Sequence, residues 1–155
     1  MLGRLRRARK EGERGQSLAE FAMVLPIFLL LVFAIVDFGM GFHAWITVTN
    51  SAREGARLGA VHPPLDVASS PCYGKASLNQ CIQDRVRATA DLVDQATKMT
   101  VTVTNANGAS GTSVVVKADY QYGLITPLAG LMQFVSGNTI GPTLTFSSTA
   151  DMRLE

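Results

Sequence analysis

The 155 residues hold few groups that could do chemistry: two cysteines, two histidines and scattered carboxylates. Cys72 and Cys81 are separated by eight residues. In an oxidising compartment such an even pair reads as a disulfide, with two free thiols as the alternative. Closing so short a ring contributes about 2.5–3 kcal/mol by the chain-entropy model. Two cysteines are too few for a zinc site, and His43 and His62 are not placed to complete one. A Ser-His-Asp arrangement would have to draw on His43, or on His62 beside Pro63 and Pro64, and neither has a G-x-S-x-G context. P-loop, G-x-G-x-x-G and H-E-x-x-H patterns are missing. Asp84, Asp91 and Asp94 are spaced as the solvated face of a helix, not as a calcium loop. The inventory points away from an enzyme, a metal and a cofactor.

Charge says more. Residues 1–15 carry six basic groups (Arg4, Arg6, Arg7, Arg9, Lys10, Arg14) against Glu11 and Glu13, while the other 140 residues hold eight basic and ten acidic groups. The net charge of +2 is therefore a +4 tail on a body of −2. A nucleic-acid binder would show a basic patch on its folded body, and this body has none. The tail instead precedes Phe21–Val36, FAMVLPIFLLLVFAIV, sixteen residues without a charge. Cations beside an apolar run match the positive-inside rule. Spanning a bilayer core takes about 20 such residues, which a segment starting at Leu18 reaches by including Glu20 or Asp37. Two alternatives are a buried core helix, which the all-round apolarity and the basic tail disfavour, and a signal peptide cut at Gly39-Met40-Gly41, which Asp37 and the continuing helical pattern disfavour. Pro26 inside the run predicts a kink, tolerated in a membrane helix.

Between tail and run lies Arg14-Gly15-Gln16-Ser17-Leu18-Ala19-Glu20-Phe21. A glycine ending a basic leader, with glutamate fifth and an aromatic sixth after it, resembles the processing site of type IV prepilins. The glutamate–aromatic pair is the form of the tight-adherence (Flp) subfamily. The longer string RGQSLAEFAMVLPIFLLLVFAIVDFG, followed by TNSAREGARLGA, looks like the start of TadE-like pseudopilins, strongly over residues 14–60 and more weakly in the closing TLTFSSTADMRLE. The resemblance implies a minor pseudopilin cleaved by a prepilin peptidase after Gly15, with Gly15, Gln16, Glu20 and Phe21 forming the processing site. It implies other pilin subunits and the pilus assembly platform as partners, and a bacterial inner membrane with the N-terminus cytoplasmic.

Physical logic supports that junction independently. Glycine gives a peptidase a small, conformationally free bond. Cleavage removes the basic leader and exposes the Gln16 amino group beside an apolar helix. Glu20 then stands one turn on, within reach of a neighbouring subunit's new terminus, and pairing relieves the cost of a carboxylate in lipid. The plainer alternative is a Glu20 that snorkels to the interface. The alternative for the whole chain is an unprocessed signal-anchored envelope protein with a partner-binding outer domain.

Beyond the run, Trp45 suits an interfacial aromatic belt. Ser51, Gly55 and Gly59 recur at four-residue spacing beside Ala52, Ala56 and Ala60. Such a stripe admits close backbone approach, either to the protein's own sheet or to an adjacent subunit; a solvated face is the third option. Arg53 and Arg57 share a face, and Glu54 reaches Arg57. Asp37 reads either as a second assembly contact beside Glu20 or, preferentially, as the place where the helix meets water. The helix is expected to run to about Gly59 and end at His62-Pro63-Pro64.

The remainder reads as a small domain. Pro63–Ser70 is a loop. A helix is expected over Leu78–Val93, with Leu78, Cys81 or Ile82, Val86, Ala90 and Val93 near helical spacing. Met99–Thr104 alternates as a strand, and Asn107-Gly108 with Gly111 makes a turn. Ser113–Tyr122 is a second strand, with Val114, Val116, Ala118, Tyr120 and Tyr122 on one face. Leu124–Ser136 is apolar and ambiguous, a loop with a short helical turn around Pro127 and Gly130. Leu144, Phe146, Ser148, Ala150 and Met152 alternate along a third strand. The class is α+β: a long N-terminal transmembrane and stalk helix packed on a small antiparallel sheet, pilin-like. The divisions are a cytoplasmic leader 1–15, a transmembrane and stalk helix 16–60, and an extracytoplasmic domain 61–155.

Overall fold

An uninterrupted apolar run followed by a stripe of small residues favours one continuous helix, and the structure has it. A computed structural model describes residues 2–92, 94–137 and 143–155, the side chains of 2–14, 95 and 96 excepted. Helix α1 spans Leu2–Ala60 and passes through Pro26 as one element. Its lower half is bare: residues 15–31 and 34–36 are exposed, and of this stretch only Val32 and Phe33 are half-buried. Its upper half is the spine of a folded domain.

That domain adds α2 (Leu78–Thr89), the short α3 (Gln95–Lys98), β1 (Met99–Thr104), β2 (Ser113–Gly123), α4 (Leu128–Ser136) and β3 (Thr143–Arg153). The strands form one antiparallel sheet in the order β1-β2-β3. Met99 pairs with Tyr120 and Thr104 with Val115 across β1–β2; Ser113 pairs with Arg153 and Gly123 with Thr143 across β2–β3. Alternation sorts the two faces. Val114, Val116, Ala118, Tyr120 and Tyr122 are buried beneath α1 and α2, together with Ala150. The opposite face carries Lys117, Gln121, Thr145 and Thr149, as a one-sided antiparallel sheet requires.

The core is the seam where Val48, Ala52 and Ala56 of α1 meet Ile82 and Val86 of α2 and Val114 and Val116 of β2, all fully buried. Ser77 caps α2 by accepting a hydrogen bond from the Gln80 amide at 3.2 Å. The C-terminus is tied back to the top of α1, where the Glu155 amide donates to the Ala60 carbonyl at 3.2 Å.

Two sequence expectations need correction. Helix α2 stops at Thr89: Ala90 turns extended (φ −83°, ψ 99°) while its amide still bonds Val86. Ala90 is buried, so its apolar spacing was a true core signal; the backbone leaves the helix there because α3 must bring the chain to β1 at Met99. Val93 lies outside the described residues. The second correction is that Leu128–Ser136 is a nine-residue helix, closed by Gly137 in the left-handed region (φ 60°).

Candidate functional site

The residues expected to form a processing site lie on an exposed stretch of α1. Gly15 is inside the helix, and a methyl added there would meet nothing within 4 Å. The Gln16 side-chain amide donates to Glu20 Oε1 at 3.1 Å, one turn on, and Phe21 is exposed beside it. Gly15, Gln16, Glu20 and Phe21 thus share one short helical stretch clear of the domain. Its Gly15–Gln16 bond is helical, so presenting it as extended chain requires unwinding one turn. Unwinding is least costly where a glycine interrupts the helix. Among the described residues, Gly15–Ala60 is the one helix long and apolar enough to cross a membrane. At about 1.5 Å per residue its 46 residues extend roughly 69 Å, so only part of it is needed for a bilayer core of about 30 Å.

Asp37 is placed far from where the sequence put it. Its side chain is 5% exposed, so it does not meet water. Oδ1 accepts from the amides of Ile125 (3.0 Å) and Thr126 (3.3 Å), and Oδ2 accepts from the Thr126 hydroxyl. The Tyr122 hydroxyl donates to the Asp37 backbone carbonyl at 3.4 Å. Both carboxylate oxygens are therefore committed to the chain's own β2–α4 connection. That connection lies 88 residues away in sequence, and no local spacing announces the pairing.

One turn above, Tyr122 and Phe146 close over Gly41, their ring centroids 5.8 Å apart. Along the groove beside them, Phe38 stacks on Phe42 at 6.4 Å and Phe42 meets Trp45 in a tilted contact at 5.7 Å. The aromatic series that includes Trp45 thus extends about two turns below it, to Phe38.

The stripe of small residues resolves in favour of the protein's own domain. Ser51, Ala52 and Ala56 are fully buried, and α2 crosses α1 at Gly55 and Gly59. Glu54 stands at the edge of this crossing. It accepts from Arg57 Nε and Nη2, both at 2.9 Å, as the sequence implied, and from Arg85 Nη2 of α2 at 2.8 Å, which the sequence did not imply. The Arg57 and then the Arg85 guanidinium hold the Glu54 carboxyl at about 2, below its ordinary 4.5.

A depressed carboxyl contributes stability that is fully present above its ordinary value and is lost as pH falls towards 2. Both arginines are half-exposed or more, which limits the contribution to about 1 kcal/mol or less. Glu54→Gln is thus expected to lower the melting midpoint slightly at pH 7. It should also flatten the loss of stability between pH 4.5 and 2, as read by thermal melts of the detergent-solubilised chain at the two ends of that window.

Cys72 and Cys81 form the disulfide, with Cα atoms 5.4 Å apart, and it pins the loop after α1 to the first turn of α2. Among the described residues no three His, Cys, Asp or Glu side chains are grouped as a metal site. No curated protein and no solved structure matches the chain. The family model described as TadE-like protein matches residues 15–57, from the candidate cleavage glycine through the crossing with α2, and that segment is similar to TadE-like proteins, as its junction residues suggested.

Proposed function

We propose that the protein is a minor pseudopilin of a tight-adherence pilus system: a structural subunit, not an enzyme, delivered to a bacterial inner membrane with its tail cytoplasmic and its domain outside. A prepilin peptidase removes residues 1–15. The mature subunit is then held in lipid by the lower half of α1 until it joins other subunits through that helix, on the assembly platform. The observation that carries this reading is one coincidence. The Gly15–Glu20–Phe21 junction stands where the bare, all-round apolar stretch of α1 begins, and the TadE-like match begins at Gly15.

The domain's architecture supports the division of labour. The upper half of α1 is consumed by the domain's core, which leaves the lower half and Glu20 free for lipid or for a neighbour. A carboxylate in that stretch gains most by pairing with the new amino group of an adjacent Gln16.

Intact mass of the membrane-extracted protein tests the reading. Cells carrying the cognate peptidase are expected to yield a chain that starts at Gln16. Gly15→Ala is expected to leave most of the chain at full length. An untrimmed wild-type chain in such cells, or normal trimming of Gly15→Ala, would favour an unprocessed signal-anchored envelope protein instead.

A further inference from the structure

Helix α4 has no place in the core. None of its residues is buried, and Phe134 is 86% and Val135 77% exposed, with Ile125 exposed just before the helix. A monomeric soluble domain rarely leaves so contiguous an apolar patch uncovered. Its position along α1 indicates what covers it. Pro127, Gly130, Leu131 and Phe134 flank Leu30 and Phe33 of α1, and Leu128 and Met132 face the Asp37–Phe38 level. Helix α4 therefore lies between the levels of Leu30 and Asp37, a drop of about 10 Å along the axis of α1. That places it beside the apolar run itself, reaching no higher than the lower end of the Phe38–Phe42–Trp45 series, with which it shares a groove. A core of about 30 Å entered near Leu18 is left only near residue 38, so α4 falls on the lipid side of that boundary.

The chemistry of the segment agrees. No Asp, Glu, Lys, Arg or His occurs between Asp119 and Asp151. An apolar groove of about 560 Å³ opens between α4, α1 and β3, lined by Phe38, Phe42, Leu128, Met132, Leu144 and Phe146. Backbone at membrane depth must have its polar groups satisfied by protein. At the entry to α4, Asp37 receives the Ile125 and Thr126 amides, and the Thr126 hydroxyl accepts from the Leu128 amide at 3.4 Å. At its exit the Gly137 amide bonds the Gln133 carbonyl.

We propose that α4 is a second membrane-embedded element, inserted among the acyl chains of the leaflet on the domain's side and held against α1 by Asp37. The subunit is then seated on the bilayer at two points, which fixes the rotation of its domain about the α1 axis before assembly. The proposal rests on the membrane-spanning reading of α1 and adds to it.

Full-length protein is reconstituted at one chain per nanodisc in phosphatidylcholine brominated on its acyl chains, with Trp45→Phe removing the native tryptophan. Single reporters are then added as Phe134→Trp, Phe28→Trp in the run, or Thr104→Trp at the far end of β1. The Phe134→Trp emission is expected to be blue-shifted and quenched as strongly as Phe28→Trp, several-fold more than Thr104→Trp. Quenching of Phe28→Trp alone overturns the proposal while leaving the spanning helix intact. Quenching of neither overturns both. Emission from Phe134→Trp that turns blue only as chains per disc increase, without bromine quenching, assigns the face to a second copy and also overturns it.

Discussion

Asp37→Ala is expected to free the β2–α4 connection while leaving the sheet folded. The substitution strands the Ile125 and Thr126 amides and the Thr126 hydroxyl, all of which now donate to one buried carboxylate. Hydrogen bonds to a charged acceptor are worth about 1.5–3 kcal/mol each, and a buried donor left without its acceptor costs about 1–3 kcal/mol. Local opening of the connection should therefore become favourable by about 3 kcal/mol or more, which is roughly a hundredfold in the opening equilibrium. Hydrogen exchange resolved by residue is the appropriate measurement. The Ile125 and Thr126 amides should exchange about a hundredfold faster, whereas Val116 and Ala118 in the centre of β2 should not change, because local openings are independent of the global transition. Asp37→Asn keeps one acceptor oxygen and should recover part of the protection. Uniform acceleration across β2 would instead mean that Asp37 holds up the whole domain.

The same residue marks the limit of what the sequence could say. Asp37 interrupts an apolar run, and locally that is the mark of a helix leaving lipid. Its partners are nearly 90 residues further on, and two of the three are backbone amides, which have no signature in a sequence. Helix α4 was obscured for a related reason. Amphipathic periodicity exists when one face meets a core and the other meets water. Leu128, Leu131, Met132 and Val135 do fall at helical spacing, but over only nine residues with few polar ones between them and none buried, and Pro127 and Gly130 argue for a loop. The Glu54–Arg85 contact was missed because it depends on how α2 crosses α1.

What was legible had a local cause. The strands alternate because one face of the sheet is buried, and Val114, Val116, Ala118, Tyr120 and Tyr122 are all inward as their spacing implied. The likeness at Gly15 was legible because it lies in a short linear segment, the one where the TadE-like match begins. The stripe at Ser51, Gly55 and Gly59 lies between these cases: close approach was readable, the identity of the approaching element was not.

That crossing carries the largest expected effect on stability. Gly55→Val should destabilise the domain by about 3 kcal/mol, at the upper end of the cost of overpacking a core. Even the first carbon of a side chain at position 55 would stand 2.3 Å from Val86 Cγ2, with Ile82 Cγ2 at 3.4 Å and Val116 Cγ1 at 3.5 Å behind it. Val86, Ile82 and Val116 are themselves fully buried, and the β-branched Val86 and Ile82 stand on a helix, where one rotamer is strongly preferred. None can swing aside, so α2 must move off α1, and it is restrained at its start by the Cys72–Cys81 bridge. Gly55→Ala places the same carbon in the same clash, offset by about 1 kcal/mol of gained helix propensity, and should cost less than Gly55→Val. Gly59→Ala should fall lower again, since its added carbon meets the more mobile end of Ile82 at 2.9 Å. Gly39→Ala is the control, because nothing lies within 4 Å of the carbon it adds. Thermal or denaturant unfolding of the four variants in one detergent should rank them Gly55→Val, Gly55→Ala, Gly59→Ala, Gly39→Ala from most to least destabilised. Such an order assigns the small residues of α1 to its own α2. If Gly55→Val instead melts like the wild type but blocks pilus formation, the stripe serves a contact between subunits, and the crossing of α1 and α2 does not depend on a bare backbone at position 55.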